Sequence, residues 1–373
     1  MGWCDGRRWT RRVLAVLVGL VAACAQEPVG GPVGQIVAEG IFVCPPPTAR
    51  CELSGATWAG GRLLVVNDRA VAGKATDSIL VLTPLGFAPR MEARFLQGLP
   101  SIAAEKFEAI TTTSDGQHVF ATAAFDRHDP ATSAQDHFNV LLTWPAERPQ
   151  VARVLGSAPD TPGASLVLRQ QLRAALASPS APEGPAHFKV EGLAALPDRL
   201  LIGVRETGTS YRDVRFTLTV LSLPWHLENG RPALLGAPRV VWRVDPAGLR
   251  GLPKAPVGLS DLVYDAVRDR LWLLTSFERE DDAVDAVAGY LWVLDRTALD
   301  RGAPPVLVRD RSGKPLIFTH KPEALAVLPD GRLLVVHDDD RRATLVPDPV
   351  SGRRRPRQQT EALYQILVVD GVP

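Results

Sequence analysis

The chain has 373 residues, of which 46% are hydrophobic, and 42 Lys and Arg residues nearly balance 41 Asp and Glu residues for a formal net charge of +1. This composition is typical of a large globular protein. Because no broad excess of positive charge is present, we expect no nucleic-acid partner.

The N-terminus has the features of an export signal. Four arginines precede an apolar run from Val13 to Ala23 that is too short to span a bilayer. We therefore predict a removable signal peptide at residues 1–23 and a tether at residues 24–34. The sequence VAAC, ending at Cys24, resembles the lipobox of bacterial lipoproteins, which implies a lipid anchor on Cys24 at the cell envelope. An ordinary signal peptide cut near Ala25 is the alternative, and the export route, general or twin-arginine, stays open.

Cysteine usage agrees with export. Once Cys4 is removed with the signal peptide and Cys24 is assigned to lipid, Cys44 and Cys51 remain, seven positions apart. This spacing readily closes a disulfide loop in an oxidising compartment. Two free thiols are the alternative, and a metal site is disfavoured because no histidine lies near either cysteine.

Five copies of one pattern follow, as in KFEAITTTSDGQHVFATA, KVEGLAALPDRLLIGVR and KPEALAVLPDGRLLVVHD. Each copy has a polar residue, an apolar residue two positions later, a turn and a second apolar run. The equivalent polar positions are Ser54, Glu108, Glu191, Ser260 and Glu323. Gly and Asp in the turns supply the backbone conformations that tight hairpins need. Repeated hairpins of one design indicate a repeat architecture.

Further strand-like runs separate the hairpins, among them SILVLTP, HFNVLLTW, FTLTVLSL and GYLWVLD, with fourth runs such as RVVWRV. A hairpin with two more strands is one propeller blade. The predicted fold is therefore an all-β β-propeller at residues 35–373 with five recognisable four-stranded blades, a decayed sixth being the alternative. The run QIVAEGIFV is predicted to pair with LYQILVVD, because an unclosed ring leaves two open sheet edges.

Three inserts interrupt the blades, near residues 157–187, 277–289 and 338–360. The first contains SLVLRQQLRAALA, whose apolar spacing predicts a surface helix. The other two are predicted to be loops, and the basic tract RRRPR in the third is expected to be solvated. All three inserts are long enough that they could cover one face of the propeller.

The strand geometry of a propeller places the start of each first strand and the end of each second strand on one face, near the axis. The repeated charges should therefore converge on one rim, and the predicted members are Lys106, Glu108, Lys189, Glu191, Arg205, Lys321, Glu323, His337 and Asp338. Salt bridges that lock one blade to the next are the structural alternative.

The chemistry of these side chains suggests two uses. Carboxylates are hard oxygen ligands suited to Ca²⁺, and the candidates are Glu108, Glu191, Glu323 and Asp338. Cationic side chains suit a small anionic ligand or substrate such as a phosphate or carboxylate, and the candidates are Lys106, Lys189, Arg205, Lys321 and His337. No nucleophile elbow, phosphate loop, His-Glu-x-x-His or Cys-x-x-Cys motif is present, so no catalytic residue is assigned.

The segments from Glu191 to Arg205 and from Glu323 to Asp339 resemble bacterial phytase-like propeller proteins with esterase-like activity and a neighbouring exported propeller family. The resemblance implies an exported propeller with an axial site for Ca²⁺-dependent hydrolysis of a phosphate or carboxylate ester. It would make the three repeat glutamates metal ligands and Lys189, Arg205 and Lys321 anion contacts. Ser54 and Ser260 depart from this pattern.

Two hypotheses follow from the sequence, a metal-assisted hydrolase and a non-catalytic binding propeller of the cell envelope. A fold shared by many functions does not choose between them. Bound Ca²⁺ would favour the hydrolase, and a rim closed by Lys-Glu pairs would favour binding or a purely structural role. A monomer is expected in either case.

Overall fold

The structure is a computed structural model that describes residues 31–371 except 70–76, 83–86, 250–251, 255, 280–286 and 341. The predicted signal peptide, the predicted lipidation site Cys24, most of the predicted tether and most of the second insert lie outside the described residues. No helix in the described residues is long and apolar enough to cross a membrane.

The described residues form 25 strands and two α-helices. The first ten strands are β1 (Val33–Val43), β2 (Leu53–Ala59), β3 (Arg62–Asn67), β4 (Ile79–Leu82), β5 (Arg90–Glu92), β6 (Arg94–Phe95), β7 (Phe107–Thr112), β8 (His118–Ala123), β9 (Leu141–Pro145) and β10 (Arg153–Val154). The next eight are β11 (His187–Ala195), β12 (Arg199–Ser210), β13 (Asp213–Glu228), β14 (Arg231–Leu234), β15 (Arg239–Val244), β16 (Gly258–Asp265), β17 (Arg270–Glu278) and β18 (Val287–Asp295). The last seven are β19 (Val306–Leu307), β20 (Ile317–Phe318), β21 (Pro322–Val327), β22 (Leu333–His337), β23 (Leu345–Pro347), β24 (Arg354–Pro356) and β25 (Glu361–Asp370). The helices are α1 (Leu166–Ala175) and α2 (Arg296–Asp300).

Five sheets of four or more strands form the blades, which confirms the predicted five-bladed propeller. Blades 1 and 2 have the orders β2-β3-β4-β6 and β7-β8-β9-β10. Blade 3 is built on β11-β12-β13 with β14 and β15 on β13, and blade 4 on β16-β17-β18 with β19 and β20 on β18. Blade 5 has the order β21-β22-β25-β1-β5.

The first strands of the five blades form the innermost ring. Strand β2 contacts β7 and β21, and β11 contacts β7 and β16, so that each inner strand touches the next around the axis. In all five hairpins the pairing skips one residue of the inner strand, which is a β-bulge. The skipped residues are Ser54, Glu108, Glu191, Ser260 and Glu323. Because a bulge re-aims its side chain, these equivalent positions lie together at one level of the ring.

The ring is closed by the two ends of the described chain. Strand β25 pairs antiparallel with β22 on one side and with β1 on the other, in a register that runs from Val33 opposite Asp370 to Val43 opposite Glu361. The predicted pairing of QIVAEGIFV with LYQILVVD is confirmed. Blade 5 is thus built from both ends of the propeller.

The inserts add structure outside the blades. Helix α1 lies in the first insert and buries Leu168 and Leu172 in the apolar core that includes strands of blades 2 and 3. The third insert contains the hairpin β23–β24, where only a loop was predicted. Its strands have three residues each, too short to show an alternating pattern, and the hairpin is held by Val346, which is buried against Ile41 and Leu363.

Cys44 and Cys51 form the predicted disulfide. Both sulfurs belong to residues buried beside the inner strand of blade 1. The bridge closes the loop between β1 and β2, and it is consistent with folding in an oxidising compartment such as the periplasm.

The closure makes a prediction about stability. Ile366 in β25 is fully buried, and truncating it to Ala should lower the free energy of unfolding by about 2–5 kcal/mol, because a cavity replaces packed side-chain atoms. The control Val37→Ala, on the neighbouring strand β1 but 45% exposed, should change it by less than about 0.5 kcal/mol. Urea denaturation measures both variants. Equal losses would contradict the packing of the closing strand.

Candidate functional site

Charged side chains from four blades meet at the rim where the inner strands begin. We call this set the axial cluster, and its members are Lys106, Glu108, Asp126, Lys189, Glu191, Arg205, Glu278, Lys321, Glu323 and Asp340. Each is joined to another member by an ion pair. The cluster therefore gathers residues more than 230 positions apart in the chain.

Lys189 joins blades 2 and 3. Its Nζ lies 3.1 Å from Glu108 Oε1 and also contacts Glu191 Oε1. Arg205 Nη1 lies 3.1 Å from the other oxygen, Glu191 Oε2. Glu191 is thus neutralised by two cations, and the pairs form a continuous chain from one blade to the next.

Arg205 continues this chain into blade 4, where the repeat departs from its pattern. Its Nη1 donates hydrogen bonds to Ser260 Oγ at 3.0 Å and Ser276 Oγ at 2.7 Å. A side chain at Gly258 would not fit, because its Cβ would lie 2.8 Å from Arg205 Cγ. The guanidinium also stacks on Phe216, with its central carbon 4.9 Å from the ring centroid. Gly and Ser in blade 4 therefore make room for an arginine supplied by blade 3.

Lys321 organises the cluster on blade 5. Its Nζ lies 3.1 Å from Glu323 Oε1, 3.2 Å from Glu278 Oε2 and 3.1 Å from Asp340 Oδ2. Arg205 Nη2 lies 3.8 Å from the same Glu278 oxygen. A single ammonium thus gathers three carboxylates from two blades.

Lys106 completes the cluster on blade 2, where its Nζ donates to Asp126 Oδ2 at 2.6 Å. The backbone of Lys106 has a φ of +56°, and Phe125 and Asp340 have φ values of +55° and +51°. Such left-handed conformations are unfavourable for side chains larger than glycine. Strained backbone of this kind concentrates at functional sites, because the surrounding structure must hold it.

The cluster holds six carboxyl groups against four cations, so it cannot be neutral with every group ionised. Burial raises the pKa of Glu108 to about 8, against the opposing attraction of Lys189. Burial likewise raises the pKa of Glu323 to about 7, although Lys321 lies beside it. The raised pKa values favour the protonated forms of these two glutamates, which would reduce the excess negative charge of the rim.

His337, predicted to contact an anion, and Asp338, predicted to bind a metal, begin a run of four residues that ends at Asp340, and only part of this run reaches the rim. His337 is buried beneath the rim, where burial lowers its pKa to about 3, and its Nε2 lies 3.0 Å from Gln365 Oε1. Asp338 is also buried, which raises its pKa well above its usual range, and its Oδ1 accepts the Asp340 backbone N–H. Of the four, the carboxylate of Asp340 reaches the axial cluster.

The predicted calcium ligands Glu108, Glu191, Glu323 and Asp338 do not form a donor set. No group of three or more His, Cys, Asp or Glu side chains within the described part of the chain is arranged to hold a metal ion. Lysine and arginine nitrogens contact the three glutamates instead. Ca²⁺ needs six to eight oxygen ligands, and these residues do not fit it.

A pocket of about 180 Å³ opens beside the cluster, and we call it the rim pocket. Its walls include three guanidinium groups and two carboxylates, from Arg50, Glu52, Asp340, Arg342 and Arg357. Sequence reasoning did not find its three arginines, because they lie outside the hairpin repeat: Arg50 precedes β2, and the other two belong to the third insert. The basic tract predicted to be solvated thus contributes Arg357 to a pocket wall.

No protein-family model and no curated protein sequence matches the chain. Similar solved structures include a member of the DUF4221 family from Bacteroides vulgatus, with 6% identity over 92% of this chain and 99% of that one and a TM-score of 0.41. A periplasmic gluconolactonase from Pseudomonas aeruginosa has 16% identity over 86% and 88% of the chains and a TM-score of 0.33. A Bombyx mori β-fructofuranosidase in complex with sucrose has 10% identity and a TM-score of 0.43, and the match covers 86% of this chain but only 65% of the enzyme, less than two thirds of its length.

These proteins are β-propellers, and likenesses this distant carry no argument about what the present chain does. The strand order and the closure described above define the fold. The resemblance to phytase-like proteins stays an expectation from the sequence.

The pairing of Arg205 with Glu191 makes a prediction about stability. Arg205→Met should lower the free energy of unfolding by about 3–5 kcal/mol, because it breaks a buried ion pair and leaves Lys189, which is shared with Glu108, as the remaining cation beside Glu191. Adding Glu191→Gln to that variant should recover part of the loss. Arg212→Ala, at an exposed position of the same blade, is the control, and urea denaturation is the measurement. No recovery in the double variant would contradict the proposed cause.

The raised pKa of Glu108 makes a prediction about pH. Because the folded state holds this proton up to a pKa of about 8 and the unfolded state releases it near 4.5, the contribution of Glu108 to stability is fully present below pH 4.5 and is lost as the pH rises towards 8. Glu108→Gln should remove more than about 1 kcal/mol of the loss between pH 5 and 8, since one pKa unit corresponds to about 1.4 kcal/mol.

Chemical denaturation at several pH values measures this effect. Exposed Glu228→Gln is the matched control, and comparison with the wild type cancels the contribution of the histidines. Parallel profiles for the wild type and Glu108→Gln would refute the assignment.

Proposed function

We propose that the protein is an exported β-propeller that binds a small anionic ligand, such as a phosphate or a carboxylate, at the rim pocket. The observation that carries this proposal is the convergence of three guanidinium groups on one small pocket beside the axial cluster. Guanidinium groups bind phosphate and carboxylate oxygens through paired, charge-assisted hydrogen bonds.

Two of the three guanidinium groups are fixed before any ligand arrives. Arg357 donates from Nη1 to the Glu361 carbonyl at 3.0 Å and from Nη2 to the Asp340 carbonyl at 2.7 Å. Arg342 Nη2 donates to the Arg279 carbonyl. Preorganised groups bind more tightly, because little side-chain freedom is lost on binding.

The remaining interactions leave the pocket able to accept negative charge. Arg50 lies 3.8 Å from Glu52, a long ion pair that competes weakly with a ligand. Arg357 Nε is buried and has no hydrogen-bond partner within the described residues. Three arginines against Glu52 and Asp340 give the lining a formal charge of +1 when all five groups are ionised. An anion in the pocket would therefore meet a lining with a net positive charge.

The size of the pocket limits the ligand. A volume of about 180 Å³ is smaller than the roughly 300–1,000 Å³ typical of pockets for drug-sized ligands. The pocket therefore suits inorganic phosphate, a small carboxylate or the charged group of a larger molecule that extends into solvent.

The axial cluster supports binding in preference to catalysis. Asp340 links the two features, since it lines the pocket and its Oδ2 lies 3.1 Å from Lys321 Nζ. In the cluster itself the Lys-Glu and Arg-Glu pairs occupy the carboxylate oxygens that a hydrolase would present to a metal ion or to water. The ion pairs of the rim thus hold Asp340, and with it one wall of the neighbouring pocket, in place.

Hydrolysis of a phosphate or carboxylate ester is the second candidate function. It is favoured by the pKa values of about 8 for Glu108 and about 7 for Glu323, because general acid-base catalysts work best with a pKa near the operating pH. On this hypothesis one glutamate would hold a proton for a leaving group while the other accepts one from water. Both residues are nearly inaccessible to solvent, which is the reason binding is preferred.

The cellular setting is part of the proposal. The Cys44–Cys51 disulfide supports an oxidising compartment, and the lipobox-like sequence at Cys24 would tether the propeller to an envelope membrane. In this setting a monomeric propeller would meet small anions of the periplasm or the cell surface.

The test is thermal unfolding of the full-length protein with increasing inorganic phosphate, at constant ionic strength and with EDTA present. Binding to the folded state should raise the Tm, since a ligand at 100 times its Kd adds about 2.7 kcal/mol. Arg50→Ala should remove most of this rise, and Arg353→Ala, an exposed position of the third insert outside the pocket lining, should retain it.

Two results would overturn the binding proposal. One is a wild-type Tm that does not respond to phosphate or citrate, and the other is an equal response in Arg50→Ala. Turnover of p-nitrophenyl phosphate or p-nitrophenyl acetate that is lost in both Glu108→Gln and Glu323→Gln would instead establish the hydrolase.

A further inference from the structure

A second and larger cavity lies on blade 3. It has a volume of about 780 Å³ and runs between the segment that follows α1 and the strands β12, β13 and β15, and we call it the blade-3 groove. Its volume falls in the range of about 300–1,000 Å³ typical of ligand sites. No residue of the rim pocket lines it. The groove is therefore a separate site from the one proposed above.

The groove is built by parts of the chain that the blade itself does not need. Strands β12 and β13 have 12 and 16 residues, whereas β3 and β8, the second strands of blades 1 and 2, have six each. The opposite wall comes from the first insert, through Ser178 and Pro185. Segments added to a rigid scaffold carry function more often than the scaffold does.

Hydroxyl groups dominate the polar lining. They belong to Ser178, Ser180, Thr207, Thr209, Thr217 and Thr219. Thr217 Oγ1 and Thr219 Oγ1 lie 2.7 Å apart, and Thr219 Oγ1 also accepts from Arg243 Nε at 3.2 Å. A hydroxyl can donate and accept, so such a wall suits a ligand whose own groups do both.

The charges of the groove are balanced. Arg215, Arg243, Asp213 and Asp245 line it, giving a formal net charge of zero. Among the described residues, Asp213 Oδ2 accepts a hydrogen bond from Thr209 Oγ1 at 2.6 Å and Asp245 Oδ1 accepts one from the Ala247 backbone N–H at 2.9 Å, and neither aspartate is in a salt bridge with Arg215 or Arg243. Donors and acceptors are therefore both available, while the groove as a whole does not select an anion or a cation.

An aromatic ring supplies an apolar surface inside this polar wall. Phe216 lines the groove and is also the ring on which Arg205 stacks. Leu176 and Pro246 add further apolar area. A ring face flanked by hydroxyl, guanidinium and carboxylate groups matches a sugar, which has apolar C–H faces and a rim of hydroxyls.

We propose that the blade-3 groove binds a neutral oligosaccharide. The zero net charge disfavours a nucleic acid, and the hydroxyl and charged groups interspersed in the lining disfavour a lipid chain. The volume admits several sugar rings in an elongated arrangement. Phe216 would pack against a ring face, while Arg243 and Asp245 would bond ring hydroxyls.

The experiment is isothermal titration calorimetry of the full-length protein with maltotetraose, cellotetraose and tetra-N-acetylchitotetraose. We expect at least one to bind with a Kd below about 1 mM. Phe216→Ala and Arg243→Ala should each weaken that binding by about tenfold or more, a loss of about 1.4 kcal/mol. Arg239→Ala, at an exposed position of the same strand β15 outside the groove, is the matched control and should bind as the wild type does.

Phe216→Ala could alter the position of Arg205, which stacks on this ring. Arg243 is exposed, so Arg243→Ala tests the groove without disturbing the core. Failure of all three saccharides to bind would overturn the proposal, as would binding that Arg243→Ala leaves intact. Binding of the zwitterion triglycine in place of the saccharides would overturn the ligand class. The phosphate response of the rim pocket should persist in Arg243→Ala, so the two proposals fail separately.

Discussion

A propeller is closed when strands from the beginning and the end of the domain pair in one blade. Here β25 closes it by pairing with β22 on one side and with β1 on the other. Without that double pairing, blade 5 would expose unpaired strand edges. The inner strands would also lose the circular contacts that hold them around the axis. Because the five bulges lie on these inner strands, the positions of Glu108, Glu191 and Glu323 depend on the same closure. The electrostatics of the rim are therefore a consequence of how the chain ends are joined.

Once the ring is closed, charged groups are brought close together with little access to water. Burying an ion is costly unless it is paired, so each glutamate of the axial cluster is matched with a lysine or an arginine. The pairs do not suffice for six carboxyl groups, and burial raises the pKa of Glu108 and of Glu323, which favours their protonated forms. Pairing and protonation together explain how one small volume accommodates so many titratable side chains. They also explain why lysine and arginine nitrogens lie beside its carboxylates.

The sequence predicted the five blades, the closing strands and the disulfide because each depends on a local or repeated pattern. The rim positions of Lys189, Glu191 and Lys321 followed from the same repeat. Asp126 was missed because it lies beyond the end of β8, outside the aligned hairpin. The rim pocket and the blade-3 groove could not be predicted, since their walls come from inserts whose course depends on tertiary packing. The hairpin β23–β24 was likewise hidden, because three-residue strands carry no measurable periodicity.

The replacement of Lys and Glu by Gly258 and Ser260 in blade 4 has a consequence for recognition. Five identical blades would present five equivalent positions around the axis, and a ligand arriving there could dock in any of five rotations. With Arg205 crossing from blade 3 to fill blade 4, and Ser54 in the glutamate position of blade 1, the fivefold symmetry of the rim is broken. The five rotational positions around the axis are therefore no longer equivalent at the mouth of the propeller. An asymmetric molecule at the mouth would then meet different side chains in each of the five rotations.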